Sequence, residues 1–263
     1  MNENEKIDYD ISSLYFSKTG KGPNVILLHG FGEDHSIWKF QVESLSKDFT
    51  VYTPDLPGSG ASAIIEKQNL RITDLAVIIK NWVWHHNIRQ PVILGHSMGG
   101  YVALAYAQLF PDDIKAVGLI HSTAFADSME RKEMRKKSMA FIQDHGTAAF
   151  LKTSIPGLFA DINHPLVSLC IEKGSSIQAG MLMQYQEAMM QRADSSVLLS
   201  SLKVPMLIIA GLYDQAVSYA DSLSQSYLSK QTHFYTLRQS AHMGMVEEPG
   251  RVNKILQQFL KGL

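Results

Sequence analysis

The segment Gly95-His96-Ser97-Met98-Gly99 sets a serine between two glycines in the pattern G-x-S-x-G. The pattern alone is weak. Its setting strengthens it, because it directly follows Val92-Ile93-Leu94 and directly opens a helical stretch from Gly99 to Phe110. A nucleophile elbow requires that strand-turn-helix setting. Glycine at both flanks relieves the crowding of the turn and leaves the Ser97 hydroxyl in the open. A serine hydroxyl attacks poorly until a base takes its proton. Ten histidines are candidates. His242, in Gln239-Ser240-Ala241-His242-Met243-Gly244, lies after the last expected strand and before the closing helix, where a loop can swing an imidazole over the elbow. A third member must orient that imidazole and stabilise its charged form. Asp214 ends Gly211-Leu212-Tyr213-Asp214 after one strand, and Asp55 follows another. The chain order serine, aspartate, histidine fits Asp214. Asp55 is expected to cap the Leu56-Pro57-Gly58 turn, since aspartate readily accepts from nearby backbone N–H groups. A developing oxyanion needs two main-chain donors. The expected ones are the N–H of Met98 and that of Phe31, in His29-Gly30-Phe31-Gly32. Removing one such donor typically costs about 10²–10³ in rate.

Such residues work only if strand ends bring them together. Val25–Leu28, Pro91–Leu94 and Pro205–Ala210 are short apolar runs of strand chemistry, and Ala116–Ile120 and Phe49–Tyr52 follow the same pattern less strongly. Continuous apolar runs of this length suit strands covered on both faces. Residues of helical period lie between them, as from Leu70 to Trp84. Alternating strands and helices predict an α/β layer with a mostly parallel sheet and helices on both faces. Ile11–Phe16 alternates and is expected as an antiparallel edge strand. Thr232–Leu237 is expected as the last strand, and Arg251–Leu260 as a closing amphipathic helix. The stretch from 122 to 201 is rich in Met, Lys, Gln and Ala, shows no clear strand, and is broken at Pro156-Gly157 and His164-Pro165. It lies between two sheet strands and predicts an inserted helical cap. The expected division is a core of residues 1–121 and 202–263 and a cap of residues 122–201.

The 263 residues, 45% hydrophobic and 19% charged, have the composition of an ordinary globular chain. A net charge of -1 leaves no electrostatic footprint for nucleic acid. Cys170 is the only cysteine, which excludes an intramolecular disulfide and a Cys-rich zinc site. Met1 to Lys6 is polar and acidic, unlike a signal peptide, and no run reaches the roughly 18 apolar residues of a membrane span. A cytoplasmic location is the expectation, and the oligomeric state is open.

Other features read more plainly. Arg131-Lys132-Glu133-Met134-Arg135-Lys136-Lys137 is expected as a solvated cap-helix face. His85 and His86 point apart on a helix and do not suit a shared metal site. His29 is expected to be structural, and His121-Ser122, after a strand, to approach the pocket. Phe125, Met129, Phe141, Phe150, Phe159, Met181, Met183, Met189 and Met190 make the cap apolar; most are expected in its core and a few along an adaptable pocket.

With these marks in place the chain resembles the α/β-hydrolase superfamily, in its serine-nucleophile, cap-bearing, carboxylesterase-like branch. The marks are His29-Gly30-Phe31-Gly32 with Trp38, Asp55 to Ser62, Gly95 to Gly100, Gly211 to Asp214, and Ala241-His242, in family order over almost the whole chain. The resemblance implies an eight-stranded sheet with the cap after the sixth strand. It also implies hydrolysis of a small carboxylic ester or thioester with an apolar portion, through an acyl-enzyme and without metal or organic cofactor. Ser97 argues against the dehalogenases and epoxide hydrolases of the superfamily, which attack with aspartate. Carbon–carbon hydrolases of ring-fission diketones often carry Asn before the serine, where this chain has His96. A hydrolase-fold ligand sensor with little turnover is the rival class.

Overall fold

In the computed structural model, which describes residues 9–263, helices surround one seven-stranded sheet. The expectation for Met1 to Lys6 lies outside the described residues. The strands are β1 (Phe16–Thr19), β2 (Asn24–Leu28), β3 (Thr50–Pro54), β4 (Val92–His96), β5 (Ala116–Ile120), β6 (Met206–Gly211) and β7 (Thr232–Leu237). The helices are α1 (Lys39–Leu45), α2 (Ile72–His85), α3 (Met98–Leu109), α4 (Met129–Ser154), α5 (Val167–Gly174), α6 (Ala179–Gln191), α7 (Ser196–Ser201), α8 (Tyr219–Ser226), α9 (Gly244–Glu247) and α10 (Pro249–Lys261). The spatial order is β1-β3-β2-β4-β5-β6-β7, with β1 antiparallel to β3 and every other pair parallel.

Every residue of β4, β5 and β6 is buried. Successive strand residues point to opposite faces, so both faces of the central sheet are covered. The apolar runs of the sequence reflect that double cover.

The expected eighth strand is absent among the described residues, and the expected edge strand over Ile11–Phe16 starts only at Phe16. The cause is local. The Asp10 carboxylate accepts from the N–H and Oγ of Ser12, at 2.9 and 2.8 Å, and folds Ile11–Ser13 into one turn of 3-10 helix. This side chain offers the backbone an alternative to a ladder. The helical insertion therefore follows the fifth strand of seven, not the sixth of eight.

Helices α4 to α7 all lie between β5 and β6. Gly146 breaks α4 with φ +81°, a left-handed conformation natural to glycine. Among the described residues no helix is long and apolar enough to cross a membrane.

Candidate active site

Ser97 joins β4 to α3 with φ 48° and ψ -114°, in the positive-φ region that a non-glycine residue seldom occupies. Neighbours impose this geometry. A Cβ on Gly95 would stand 2.1 Å from the Gly99 carbonyl, and one on Gly99 would stand 2.4 Å from the Leu28 carbonyl oxygen. Only glycine fits at either place. The end of β5 braces the turn: Ser97 N–H donates to the Ile120 carbonyl at 3.0 Å, and Ser122 Oγ donates to the Ser97 carbonyl at 2.7 Å. Ser97 keeps partial exposure, whereas Met98 behind it is fully buried.

His242 sits in the loop between β7 and α9, and its Nδ1 donates to Asp214 Oδ2 at 2.8 Å. Asp214, just beyond β6, is fixed on its other oxygen, where Oδ1 accepts from the N–H groups of Ala216 and Val217 at 2.8 Å each. Burial opposes charge on both groups, but their mutual attraction prevails. The His242 pKa is raised above the ordinary histidine value, and the Asp214 pKa is driven far below the usual carboxylate range.

A second imidazole reaches the same carboxylate. His121 Nε2 accepts from Gly244 N–H at 3.2 Å, so its proton lies on Nδ1, which donates to Asp214 Oδ2 at 3.2 Å. Burial lowers the His121 pKa to about 4, with Asp214 pulling the other way, and keeps the ring neutral at pH 7. His121, Asp214 and His242 place ligand atoms within 4.8 Å of one another. Each of these atoms already has a hydrogen-bond partner, so the arrangement fits a hydrogen-bonded chain.

Sequence reasoning did not find the pair Glu33–His96. His96 Nε2 donates to the His242 carbonyl at 2.9 Å, and Nδ1 faces Glu33 Oε2 at 3.0 Å. Glu33 Oε2 also accepts from Gly30 N–H at 2.6 Å. Burial opposes charge on Glu33, but the adjoining His96 ring and the Gly30 N–H prevail and hold its carboxyl below the usual carboxylate range. These bonds join residues 63 and 146 positions apart and leave no periodic signal in the sequence.

Phe31, Ser97 and His242 line one cavity of about 170 Å³. The N–H groups of Phe31 and Met98 have no acceptor among the described residues. Asp55 lies elsewhere: it accepts from His35 Nδ1 at 2.8 Å and from Ala61 N–H at 2.9 Å, and so ties together an earlier loop and the residues after the turn it was expected to cap. His29 is a brace, accepting from Leu56 N–H and donating to the Gly30 carbonyl. From the insertion, Phe150 and Met189 reach the cavity, Phe159 and Met181 are buried, and Met129 and Phe141 face solvent rather than the core expected of most of this group. The basic run is also not wholly a solvated face. Lys136 and Lys137 are exposed, but Arg131 and Arg135 line the cavity. Their i, i+4 spacing, which places two side chains on one side of a helix, was the available signal.

The family model described as alpha/beta hydrolase fold matches residues 23–145. The chain is 28% identical over 262 residues to a pimeloyl-[acyl-carrier protein] methyl ester esterase of Vibrio parahaemolyticus, covering 90% of this chain and 94% of that one. It is 24% identical over 274 residues to the monoacylglycerol lipase ABHD6 of Bos taurus, covering 96% and 80%. A malate-bound thermophilic esterase from Thermogutta terrifontis superposes with a TM-score of 0.89 at 29% identity, over 95% of this chain and 93% of that one. Motif order, fold and relatives agree: the chain is an esterase-like hydrolase with the α/β-hydrolase fold.

Proposed function

We propose that the chain is a serine hydrolase that cleaves a small carboxylic ester or thioester through an acyl-enzyme. One observation carries this reading: His242 is held by Asp214 at 2.8 Å in the cavity that also holds the strained Ser97 turn. Ser97 Oγ attacks the carbonyl carbon and passes its proton to His242 Nε2. The oxyanion rests on the N–H groups of Phe31 and Met98. His242 then protonates the departing alcohol or thiol, and the acyl-enzyme forms. Water attacks next, loses its proton to His242, and releases the acid. These steps need no metal and no organic cofactor. Residues 122–201 serve as the cap that closes the pocket over the core of 1–121 and 202–263. The curated relatives, an ester hydrolase and a lipase by name, support an ester as the bond broken.

The test is a turnover screen over short esters, thioesters and vinylogous diketones with wild type and Ser97→Ala side by side. Many turnovers on short acyl esters, abolished in Ser97→Ala, are expected; long-chain triglycerides should be poor substrates of so small a cavity. Release of only about one equivalent, despite a reactive serine, would move the chain to the sensor class. Fast cleavage of a diketone with esters inert would assign it to the carbon–carbon hydrolases.

A further inference from the structure

Resting on the ester-hydrolase reading, we propose that Arg131 binds a carboxylate on the substrate, so that the preferred ester is a half-ester of a short aliphatic dicarboxylic acid. The catalytic cavity has apolar walls, including Phe150, Leu151 and Met189, yet charged groups also line it. Most of these are matched. Glu33 is paired with the His96 ring. Arg135 donates Nε–H to Asp127 Oδ2 and Nη1–H to Gln186 Oε1 at 2.8 Å. Arg192, behind it, takes the other oxygen of Asp127 at 2.8 Å and the carbonyls of Met189 and Phe125. Asp127 thus serves two guanidinium groups.

Arg131 is the cation left over. It has no carboxylate within ion-pair distance among the described residues, and its guanidinium makes one long contact, 3.4 Å, to the Gln215 carbonyl. It is half-buried, where an unmatched charge costs more than in water. Its field reaches the reacting groups: after burial, Asp214 and Glu33, it is the next influence on His242, and it opposes protonation of that ring.

Position then suggests the ligand. Arg131 also lines a second cavity of about 220 Å³, which shares Tyr101, Ala216 and Val217 with the first. Ser97 and Arg131 line the same small cavity, so an ester carbonyl over Ser97 and an anionic head at Arg131 suit a short aliphatic chain against the apolar lining. The exposed Asp221 and the mutually paired Asp127 and Arg192 also line the second cavity, which leaves Arg131 as its unmatched cation. One guanidinium matches one carboxylate in charge and in its two-pronged geometry, whereas a phosphate dianion would remain half compensated.

The experiment compares kcat/KM for monomethyl adipate and dimethyl adipate in wild type, Arg131→Gln and Arg131→Lys, and measures adipate binding by calorimetry in the same proteins. Wild type should prefer the half-ester. In Arg131→Gln the ratio of half-ester to diester should fall about ten- to a hundred-fold, mostly through KM, the loss expected of a hydrogen bond to a charged group. Arg131→Lys should restore part of the ratio, and adipate binding should weaken in parallel. An equal fall for both esters, or a wild-type preference for the diester, would overturn the proposal. Tighter binding of a butyl phosphate than of a matched carboxylate would overturn the choice of anion. If neither ester turns over but adipate still binds through Arg131, the anion site stands and the ester-hydrolase reading fails.

Discussion

His96 Nε2 donates to the main-chain carbonyl of His242 at 2.9 Å, so the residue just before the elbow serine holds the loop that carries the imidazole. On its other side the His242 N–H donates to the Leu158 carbonyl of the insertion at 2.9 Å. The loop is clamped from below by the sheet and from above by the insertion. Glu247 repeats the link, accepting from Ala160 N–H at 2.7 Å and from Ala241 N–H at 3.0 Å.

Breaking the lower clamp should be costly. Glu33→Ala leaves the buried His96 ring without its partner, and loss of one member of a buried pair typically costs about 3–5 kcal/mol. Urea unfolding should show this as a lower midpoint, with kcat reduced as the His242 loop loosens. A change under about 0.5 kcal/mol would mean that water replaces the carboxylate and the clamp matters little.

Asp214→Asn should reduce kcat by about 10⁴, since an amide neither holds the required tautomer nor stabilises the imidazolium. Ser97→Ala and His242→Ala should each cost more than that and about as much as the triple variant, because members of such a unit act together. Asp55→Asn should spare the chemistry, as Asp55 bonds to His35 and not to His242. An inactive Asp55 variant beside a near-wild-type Asp214 variant would reverse the assignment.

The pH profile follows from the raised His242 pKa. Acylation needs the neutral imidazole, so kcat/KM should fall as pH drops through that pKa. The acid limb should lie above the ordinary histidine value of about 6.5. A flat profile between pH 5 and 8, with chemistry rate-limiting, would exclude His242 as the base.

His121 should make the fold acid-sensitive in a defined window. Its pKa in the folded state is lowered to about 4 by burial, so the unfolded chain binds this proton first. The stability it contributes is present above about pH 6.5 and lost as pH falls toward 4. Complete loss amounts to about 3 kcal/mol. The opposite contribution of His242 is already complete below about 6.5 and adds no slope there. Thermal unfolding across pH 4 to 6.5 should therefore be flatter in His121→Asn than in wild type; identical slopes would contradict the buried neutral ring.

How legible the site was depends on what punctuates the chain. Ser97 and Asp214 follow apolar runs that end in glycine, and His242 lies in the loop between the last strand and the closing helix, so pattern and chain order sufficed to nominate them. The central strands were visible because double burial writes continuous apolar runs. The first strand was misread because Asp10 outweighs the alternation of Ile11–Phe16. Glu33 and the His96 bonds were invisible, since a buried polar contact between distant residues has no period. Arg131 and Arg135 were read as a solvated face because spacing shows that two residues share a side but not what that side meets.

The central claim is that Ser97 carries an activated hydroxyl, and fluorophosphonate labelling tests it most directly. Phosphonylation displaces fluoride from phosphorus by the same Oγ, with the same proton transfer to His242 and the same main-chain donors. Peptide mass spectrometry should find one adduct per chain, on the peptide containing His96-Ser97-Met98, formed more slowly in His242→Ala and absent in Ser97→Ala. No adduct on the folded wild type, or an adduct that persists in Ser97→Ala, would contradict the claim.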